Sequence, residues 1–223
     1  MAFLESTLAG TRAGRISRVA AFATLWLMTT TGGMYALYHY AATPSSAADA
    51  PRRWPTQCPL RPAGDRWNLL IFAHPGCPCT RASLNELARI ELSTRGRARI
   101  TLALGTPDNV EDRCSATEYR QIAERIPGCT VLDDPGGSLA HAFGAHTSGQ
   151  VLLYSATGEL CFSGGITPSR GHEGPNLGRD AIQDWIQGRP DARRSTPVFG
   201  CELVDDPVSA PGPKPGNMGV ARL

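Results

Sequence analysis

The chain has 223 residues, of which 41% are hydrophobic and 19% are charged, and this suits one folded domain of ordinary size with additional segments. A formal net charge of only +2 excludes the strongly basic class of nucleic-acid-binding protein, whose positive charge is dense on one face. The seven cysteines favour an oxidising compartment, and their odd number leaves at least one thiol unpaired or paired with another chain.

The N-terminal segment has the pattern of a membrane anchor. Residues 1–18 contain three arginines and one acid, and residues 19–40 contain no Asp, Glu, Lys or Arg. A helix of that length is about long enough to cross a hydrocarbon core of roughly 30 Å. We therefore expect a cytoplasmic N-terminus at 1–18, a transmembrane helix at 19–40 and an exported remainder. The alternative is a cleaved signal peptide ending near Ala48-Asp49-Ala50, which exports the same remainder.

A domain of alternating strands and helices is predicted at residues 58–204. A flexible linker at 41–57, rich in Ala, Ser and Pro, is expected before it, and a disordered tail at 205–223 after it. Apolar runs and periodicity predict strands at 68–73, 98–104, 130–132, 151–154 and 160–163, and helices at 78–92, 116–125, 138–143 and 181–187. This order indicates an α/β fold with a central mixed sheet covered by helices.

Two cysteines separated by one residue stand between the first strand and the first helix of this domain. Cys77 falls at the predicted N-cap, and Pro78 at the first helical position, where its missing N–H leaves no bond unmade. Free backbone N–H groups, the helix dipole and the nearby Arg81 should lower the pKa of the Cys77 thiol. We therefore predict that Cys77 is a nucleophile and Cys79 the resolving thiol. The alternative is a static pair of packed or bridged cysteines.

The segment at 68–87, NLLIFAHPGCPCTRASLNEL, resembles the thioredoxin-like superfamily. Within it the segment is similar to the membrane-anchored bacterial TlpA/ResA-like branch, and to the RedB-type proteins of that branch. The resemblance covers about residues 58–204. It implies a thioredoxin-like fold that faces the periplasm, held by a single pass through the bacterial inner membrane. It also implies thiol–disulfide exchange by Cys77 and Cys79 with an exported protein that offers a thiol or a disulfide.

Two features depart from that family's pattern. The family has two residues between its cysteines, whereas only Pro78 lies between these, so their disulfide would close a tighter ring and be more readily reduced. The family also has a cis-proline before the strand that faces the active site, and Gly149 falls at that position. The substrate-docking surface around Gly149 is therefore expected to differ. No organic cofactor is implied, because the chain has no phosphate-binding glycine loop.

A glycine-rich loop at 164–178 offers further candidate residues. In a thioredoxin-like fold this loop lies near the active-site cysteines. We predict that His172 or Arg170 tunes the pKa of Cys77 or binds substrate, and His74, beside the Cys-Pro-Cys turn, is a further candidate. The alternative for the loop is a solvated surface without a role in the site.

Copper handling is the alternative function. Thiolates favour Cu(I), so Cys77 and Cys79 with His172 or His74 form an alternative metal-binding set. A disulfide between Cys58 and Cys201, which bracket the domain, is one possible pairing of the remaining cysteines. The others, Cys114, Cys129 and Cys161, lie in no motif.

Overall fold

The computed structural model describes residues 2–46, 49–107, 109–189 and 191–203. The chain divides into two compact units, Met1–Thr43 and Pro44–Leu223. The first unit contains a single long helix, α1 (Ala2–Ala42). The tail predicted at 205–223 lies outside the described residues.

The membrane anchor predicted at residues 19–40 is not supported. Among the described helices, none combines the length and the apolar character that a bilayer crossing requires. The sequence explains this, because three threonines and two glycines (29–33) interrupt the apolar stretch. In α1 the hydroxyls of Thr29 and Thr30 donate to the carbonyls of Leu25 (3.0 Å) and Trp26 (2.8 Å), respectively.

The second unit is built on a mixed five-stranded sheet, as the sequence predicts. Its strands lie in the order β3-β2-β1-β4-β5, with β1 parallel to β2, β2 parallel to β3, and β4 antiparallel to both β1 and β5. The strands are β1 (Trp67–Ala73), β2 (Ala98–Gly105), β3 (Cys129–Asp134), β4 (Gln150–Tyr154) and β5 (Leu160–Gly165). The helices are α2 (Cys79–Thr94), α3 (Val110–Glu124), α4 (Ser138–Ala142) and α5 (Leu177–Gln187), with a 3-10 turn at Pro135–Gly137.

The alternation of side chains along β1 divides the core between the two faces of the sheet. Leu69 and Ile71 point to the face covered by apolar residues of α2, α3 and α5. Leu70 and Phe72 point to the opposite face, which is covered by α4 and Phe143. Because both faces are covered, β1 is buried along nearly its whole length, as its unbroken apolar sequence predicts.

Two helices begin earlier than their apolar periodicity indicates, because polar caps start them. The side chain of Asn109 accepts from the N–H of Asp112 (2.9 Å) and begins α3 at Val110. The side chain of Asn176 accepts from the N–H of Arg179 (2.7 Å) and begins α5 at Leu177. Asparagine at an N-cap satisfies one of the free N–H groups of the first turn.

The segment predicted as a flexible linker at 41–57 instead packs, over its described part beyond Pro44, against the sheet. Trp54 meets Phe143 edge to face (centroids 5.0 Å apart) and Tyr154 in the same manner (5.2 Å). Its indole N–H donates to the carbonyl of Leu60 (2.9 Å). The hydroxyl of Tyr154 donates to the carbonyl of Pro51 (2.9 Å). The composition, rich in Ala, Ser and Pro, predicts a flexible linker. The aromatic contacts of Trp54 hold the segment in place instead.

Replacing this anchor tests the packing of the segment. Trp54→Ala removes two aromatic contacts and a hydrogen bond, so we expect the free energy of unfolding to fall by about 2 kcal/mol, less than at a fully buried aromatic residue because Trp54 is partly buried. Urea unfolding of both proteins measures this. The neighbouring Arg53→Ala is the control, because the Arg53–Glu159 pair is exposed and worth little. Equal effects of the two substitutions would mean that the segment is a loose spacer after all.

Candidate active site

The Cys-Pro-Cys turn joins the end of β1 to the start of α2, and His74 holds it in shape. The carbonyl of His74 accepts from the N–H of Cys77 (3.1 Å) and from the hydroxyl of Thr80 (3.0 Å). Its Nδ1 accepts from the N–H of Gly76 (3.0 Å). The structure thus gives this predicted candidate a positioning contact with the turn.

Helix α2 begins one residue later than predicted. Pro78 occupies the N-cap position with helical backbone angles (φ −64°, ψ −18°), and Cys79 is the first residue of the helix. Cys77 therefore lies just before the cap, and its carbonyl accepts from the N–H of Thr80 (3.1 Å). This tight turn directs the N–H of Cys79, which is free at the helix start, to the sulfur of Cys77.

The sulfur of Cys77 is completely buried and accepts hydrogen bonds from two other cysteines. The thiols of Cys201 and Cys79 both donate to it, and so do the backbone N–H groups of these two residues. The bond from the Cys201 thiol contributes most, followed by the bond from Cys79, and together they lower the pKa of Cys77 far below its ordinary value against the opposing effect of burial. This shift favours the thiolate form of Cys77.

The two donor thiols show the reciprocal effect. The hydrogen bond to Cys77 raises the pKa of Cys79 and of Cys201 well above the ordinary value, and burial adds to the rise in both. The guanidinium of Arg170 partly offsets this rise at Cys201. These opposite shifts favour one thiolate next to two protonated thiols, which is a proton arrangement suited to thiol–disulfide exchange.

The cause of the low pKa differs from the prediction. Arg81, expected to supply positive charge, pairs instead with Glu118 of α3 (2.6 Å). Among the described residues, Arg81 is not one of the groups that shift the pKa of Cys77. The helix start lowers the pKa of Cys77 through the N–H of Cys79, but the largest part of the shift comes from Cys201. The sequence offers Cys201 only as a possible disulfide partner of Cys58.

The possible disulfide between Cys58 and Cys201 is not formed. All seven cysteines lie in the described residues, and none of them is in a disulfide. Cys58 is buried in the core on the α4 face of the sheet, whereas Cys201 is hydrogen-bonded to Cys77. No local motif marks Cys201 as a site residue. The only signal in the sequence is the odd number of cysteines.

A C-terminal segment at 198–203 brings Cys201 to the site. The carbonyl of Cys201 accepts from the N–H of Ser148 (2.8 Å), and the N–H of Leu203 donates to the carbonyl of His146 (2.9 Å). The segment approaches so closely that a Cβ at Gly200 would lie 1.8 Å from the carbonyl oxygen of Ser148. Glycine is therefore required at this position.

Gly149 shapes the backbone between this segment and the Cys-Pro-Cys turn. Its φ of +88° is a conformation that L side chains rarely adopt, and an added Cβ would lie 3.2 Å from Ser83 Oγ. Its N–H donates to the carbonyl of Phe72 (2.8 Å). The preceding Ser148 accepts from the N–H of His74 through its hydroxyl (3.0 Å). Gly149 thus contributes to the shape of the site through its backbone conformation and its N–H.

The loop at 164–178 reaches the cysteines through Gly171 and Arg170. The backbone N–H of Gly171 donates to the sulfur of Cys79. Arg170 donates to the carbonyl of Gly200 and to Ser45 Oγ (2.8 Å). His172 is exposed, and its Nδ1 lies 2.7 Å from the carbonyl of Arg170. Neither Arg170 nor His172 is among the described groups that shift the pKa of Cys77.

A buried carboxylate holds this loop against α2. Glu86 is completely buried, pairs with Arg179 (2.7 Å) and with Arg89, and accepts from the N–H of Gly174 (2.8 Å). The side-chain amide of Asn176 donates to it as well (3.2 Å). The role of Glu86 could not be predicted from the sequence, because an acid on a mostly apolar helix face has no local signature.

The alternative metal-binding set is not assembled as a metal site. In the part of the chain that the structure describes, no group of three or more His, Cys, Asp or Glu side chains is arranged to hold a metal ion. Neither His172 nor His74 therefore forms such a group with Cys77 and Cys79.

Comparisons with known proteins support the fold. No family model and no curated protein matches the chain. The solved structure of an uncharacterized conserved protein from Geobacillus kaustophilus aligns with a TM-score of 0.53 at 17% identity, over 74% of this chain and 94% of its own. A hypothetical protein from Sinorhizobium meliloti 1021 aligns with a TM-score of 0.51 at 19% identity, over 72% and 93%.

A secreted Mycobacterium tuberculosis disulfide oxidoreductase homologous to E. coli DsbE aligns more weakly, with a TM-score of 0.40 at 14% identity, over 56% of this chain and 82% of its own. At these values the first two structures show a shared fold alone, and the third carries no argument about activity. The mixed five-stranded sheet, its covering helices and the cysteine turn after β1 fit a thioredoxin-like α/β fold.

The low pKa of Cys77 predicts a thiolate signal in mildly acidic solution. At about pH 6, well below the ordinary cysteine pKa of about 8.5, the reduced protein should retain the ultraviolet absorbance of one thiolate. Cys77→Ser should abolish this signal, and Cys114→Ser, which changes an exposed thiol on α3, should leave it unchanged. A titration near the ordinary pKa in the reduced wild-type protein would contradict the described hydrogen bonds.

The same shift predicts how stability depends on pH. A thiol with a lowered pKa in the folded chain stabilises folding fully above its unfolded pKa, and this stabilisation is lost as the pH falls toward the folded pKa. The difference in unfolding free energy between the reduced wild type and Cys77→Ser should therefore shrink as the pH is lowered from about 8.5. Urea unfolding at a series of pH values measures it, and a difference independent of pH would contradict the shift.

The Glu86 contacts predict a large effect of a small substitution. Glu86→Gln removes the charge that Arg179 and Arg89 share, and it should lower the unfolding free energy by about 3 kcal/mol, because the guanidinium groups lose their buried partner. Glu173→Gln is the matched control, since Glu173 pairs with Arg89 (3.0 Å) but is partly exposed and should cost little. Chemical unfolding compares the two, and similar small losses would argue against the buried contacts.

Proposed function

We propose that this protein is a thiol–disulfide oxidoreductase that exchanges disulfides with an exported protein. One observation carries the proposal: Cys77 is buried in the tight turn between β1 and α2, separated by one residue from Cys79 and next to the segment that contains Cys201. Both of these thiols lower the pKa of Cys77. A thiolate is the attacking species in disulfide exchange, and a neighbouring thiol is the group that resolves the mixed disulfide. The thioredoxin-like fold agrees with this chemistry.

The reaction begins with attack by Cys77 on a disulfide of the partner. A bond forms between Cys77 Sγ and one partner sulfur, the partner's disulfide breaks, and the second partner sulfur leaves as a thiolate that takes up a proton. A second cysteine of the site then attacks Cys77 Sγ, forms an internal disulfide and releases the first partner sulfur. Two electrons pass from the site to the partner, and the reverse sequence oxidises a partner dithiol.

The hydrogen bond between Cys77 and Cys79 also makes Cys79 reactive only after the mixed disulfide has formed. While Cys77 is a thiolate, its charge and its hydrogen bond keep the proton on Cys79. Once Cys77 forms a mixed disulfide, that charge disappears, and the main cause of the raised pKa of Cys79 disappears with it. Cys79 then loses its proton more readily and becomes the nucleophile at the step that needs one.

An exported location is part of the proposal. Seven cysteines in 223 residues favour an oxidising compartment such as the periplasm, where disulfides persist. An exported protein with an accessible thiol or disulfide is the corresponding partner. The RedB-type identity within the TlpA/ResA-like branch is proposed on the resemblance of residues 68–87.

The decisive experiment equilibrates the full chain with mixtures of reduced and oxidised glutathione, alkylates free thiols and maps them by mass spectrometry. Cys77 should enter an internal disulfide in a two-electron transition, and the wild type should accelerate reduction of insulin disulfides by a dithiol. Cys77→Ser should return that rate to the uncatalysed value, and Cys114→Ser should retain the wild-type rate. If Cys77 stays reduced at every potential, the proposed function is wrong.

A further inference from the structure

Cys201 is held at the site from two sides. On one side, the backbone of residues 146–148 bonds to Cys201 and Leu203, and Thr147 forms a bridge with Glu202. On the other side, the carbonyl of Gly200 accepts from Arg170 and from the hydroxyl of Ser45 (2.7 Å). The backbone around Cys201 is therefore held by several contacts that involve neither Cys77 nor Cys79.

Cys201 is also the cysteine of the three that faces a cavity. Cys77 is completely buried and Cys79 is 5% exposed, whereas Cys201 is partly exposed. It lines an open cavity of about 430 Å³, together with His74, Gly76 and Glu202. Cys201 lines this cavity and the other two cysteines do not, so an external thiol can reach Cys201 through it.

We propose that Cys201 is a third redox-active cysteine, which forms a disulfide with Cys77 and exchanges it with external thiols through this cavity. The inference rests on the proposed thiol–disulfide function and names a residue that the Cys-Pro-Cys mechanism does not use. Backbone pairing provides the approach, because Ser148 bonds both to the carbonyl of Cys201 and, through its hydroxyl, to the N–H of His74 at the start of the Cys-Pro-Cys turn. Cys201 also lines the same cavity as His74 and Gly76 of that turn.

Two nucleophilic attacks transfer the disulfide from the site to the partner. A thiolate of a partner dithiol attacks Cys201 Sγ, a partner–Cys201 disulfide forms, and the Cys77–Cys201 bond breaks with its electron pair on Cys77. The partner's second thiol then loses its proton and attacks the partner sulfur of this mixed disulfide. Cys201 leaves and takes up a proton, while Cys77 remains a thiolate. The partner loses two electrons and two protons, and one of these protons enters the solvent.

The geometry makes Cys77 the better leaving group. Its thiolate is stabilised by the N–H groups of Cys79 and Cys201 and by the thiol of Cys79, and a stabilised thiolate leaves faster. Attack at the exposed sulfur thus expels the buried one. A later attack of Cys79 on Cys77 in the Cys77–Cys201 disulfide moves the bond to Cys77–Cys79 and frees the Cys201 thiol, with no net oxidation.

The glycine at position 200 offers a geometric test. A Cβ there would collide with the carbonyl of Ser148, so Gly200→Ala should push the segment away and reduce the Cys77–Cys201 disulfide at least fivefold relative to Cys77–Cys79. Gly64→Ala is the matched control, because nothing lies within 4 Å of its added Cβ. An unchanged ratio in Gly200→Ala, with the native circular dichroism spectrum, would overturn the proposal.

The main test compares Cys79→Ser, Cys201→Ser and the control Cys114→Ser in the glutathione series, with disulfides mapped by mass spectrometry. Cys79→Ser should form a Cys77–Cys201 disulfide, and brief treatment of that oxidised variant with reduced glutathione, quenched in acid, should place glutathione on Cys201. If Cys79→Ser keeps both thiols free while Cys201→Ser still cycles through Cys77–Cys79, this inference is wrong and the proposed function stands. If Cys77 stays reduced in the wild type and every variant, both are wrong.

Discussion

The structure of the site depends on hydrogen bonds to one buried sulfur. A charge at the fully buried Cys77 would be costly without donors, and the surrounding N–H and S–H groups supply them. Half of these donors belong to Cys79 at the start of α2, and half to Cys201 in the C-terminal segment. The thiolate therefore links two parts of the chain that are far apart in sequence, and each part needs the other to keep the charge satisfied.

This link makes the site sensitive to its own redox state. Oxidation of Cys77 removes the negative charge toward which the donors point, and with it the main reason for the raised pKa values of Cys79 and Cys201. The charge of Cys77 supplies one set of contacts in the reduced site, which a covalent bond replaces on oxidation. The bonds from Ser148 to Cys201 and from Arg170 to Gly200 form a second set. The second set of contacts persists in both states, so the C-terminal segment need not unfold when the site turns over.

The features that the sequence could predict are local ones. The buried strand at 68–73, the turn at Cys77-Pro78-Cys79 and the helix that follows are adjacent in the chain, and each has its own pattern of apolar residues, proline and cysteine. Cys201 could not be predicted in the same way, because its place depends on backbone pairing with residues 146–148 and on the close approach that Gly200 permits. Trp54 shows the same limitation, since a single aromatic residue in a Pro- and Ala-rich stretch turns a predicted linker into part of the core.

The single residue between the two turn cysteines gives the third cysteine its importance. A disulfide within Cys-Pro-Cys closes a small ring across a proline, and strain in such a ring makes its reduction more favourable. A disulfide from Cys77 to Cys201 closes no small ring. The backbone around Cys201 is already held by the bond from Ser148 to Cys201 and by the bonds from Ser45 and Arg170 to Gly200. The balance between the two disulfides is therefore a balance between local ring strain and the anchoring of a distant segment. The loop at 164–178 contacts both alternatives, because Arg170 bonds to the carbonyl of Gly200 and the N–H of Gly171 bonds to the sulfur of Cys79. Glu86 holds this loop to α2. It therefore influences the balance between the two disulfides from outside the site.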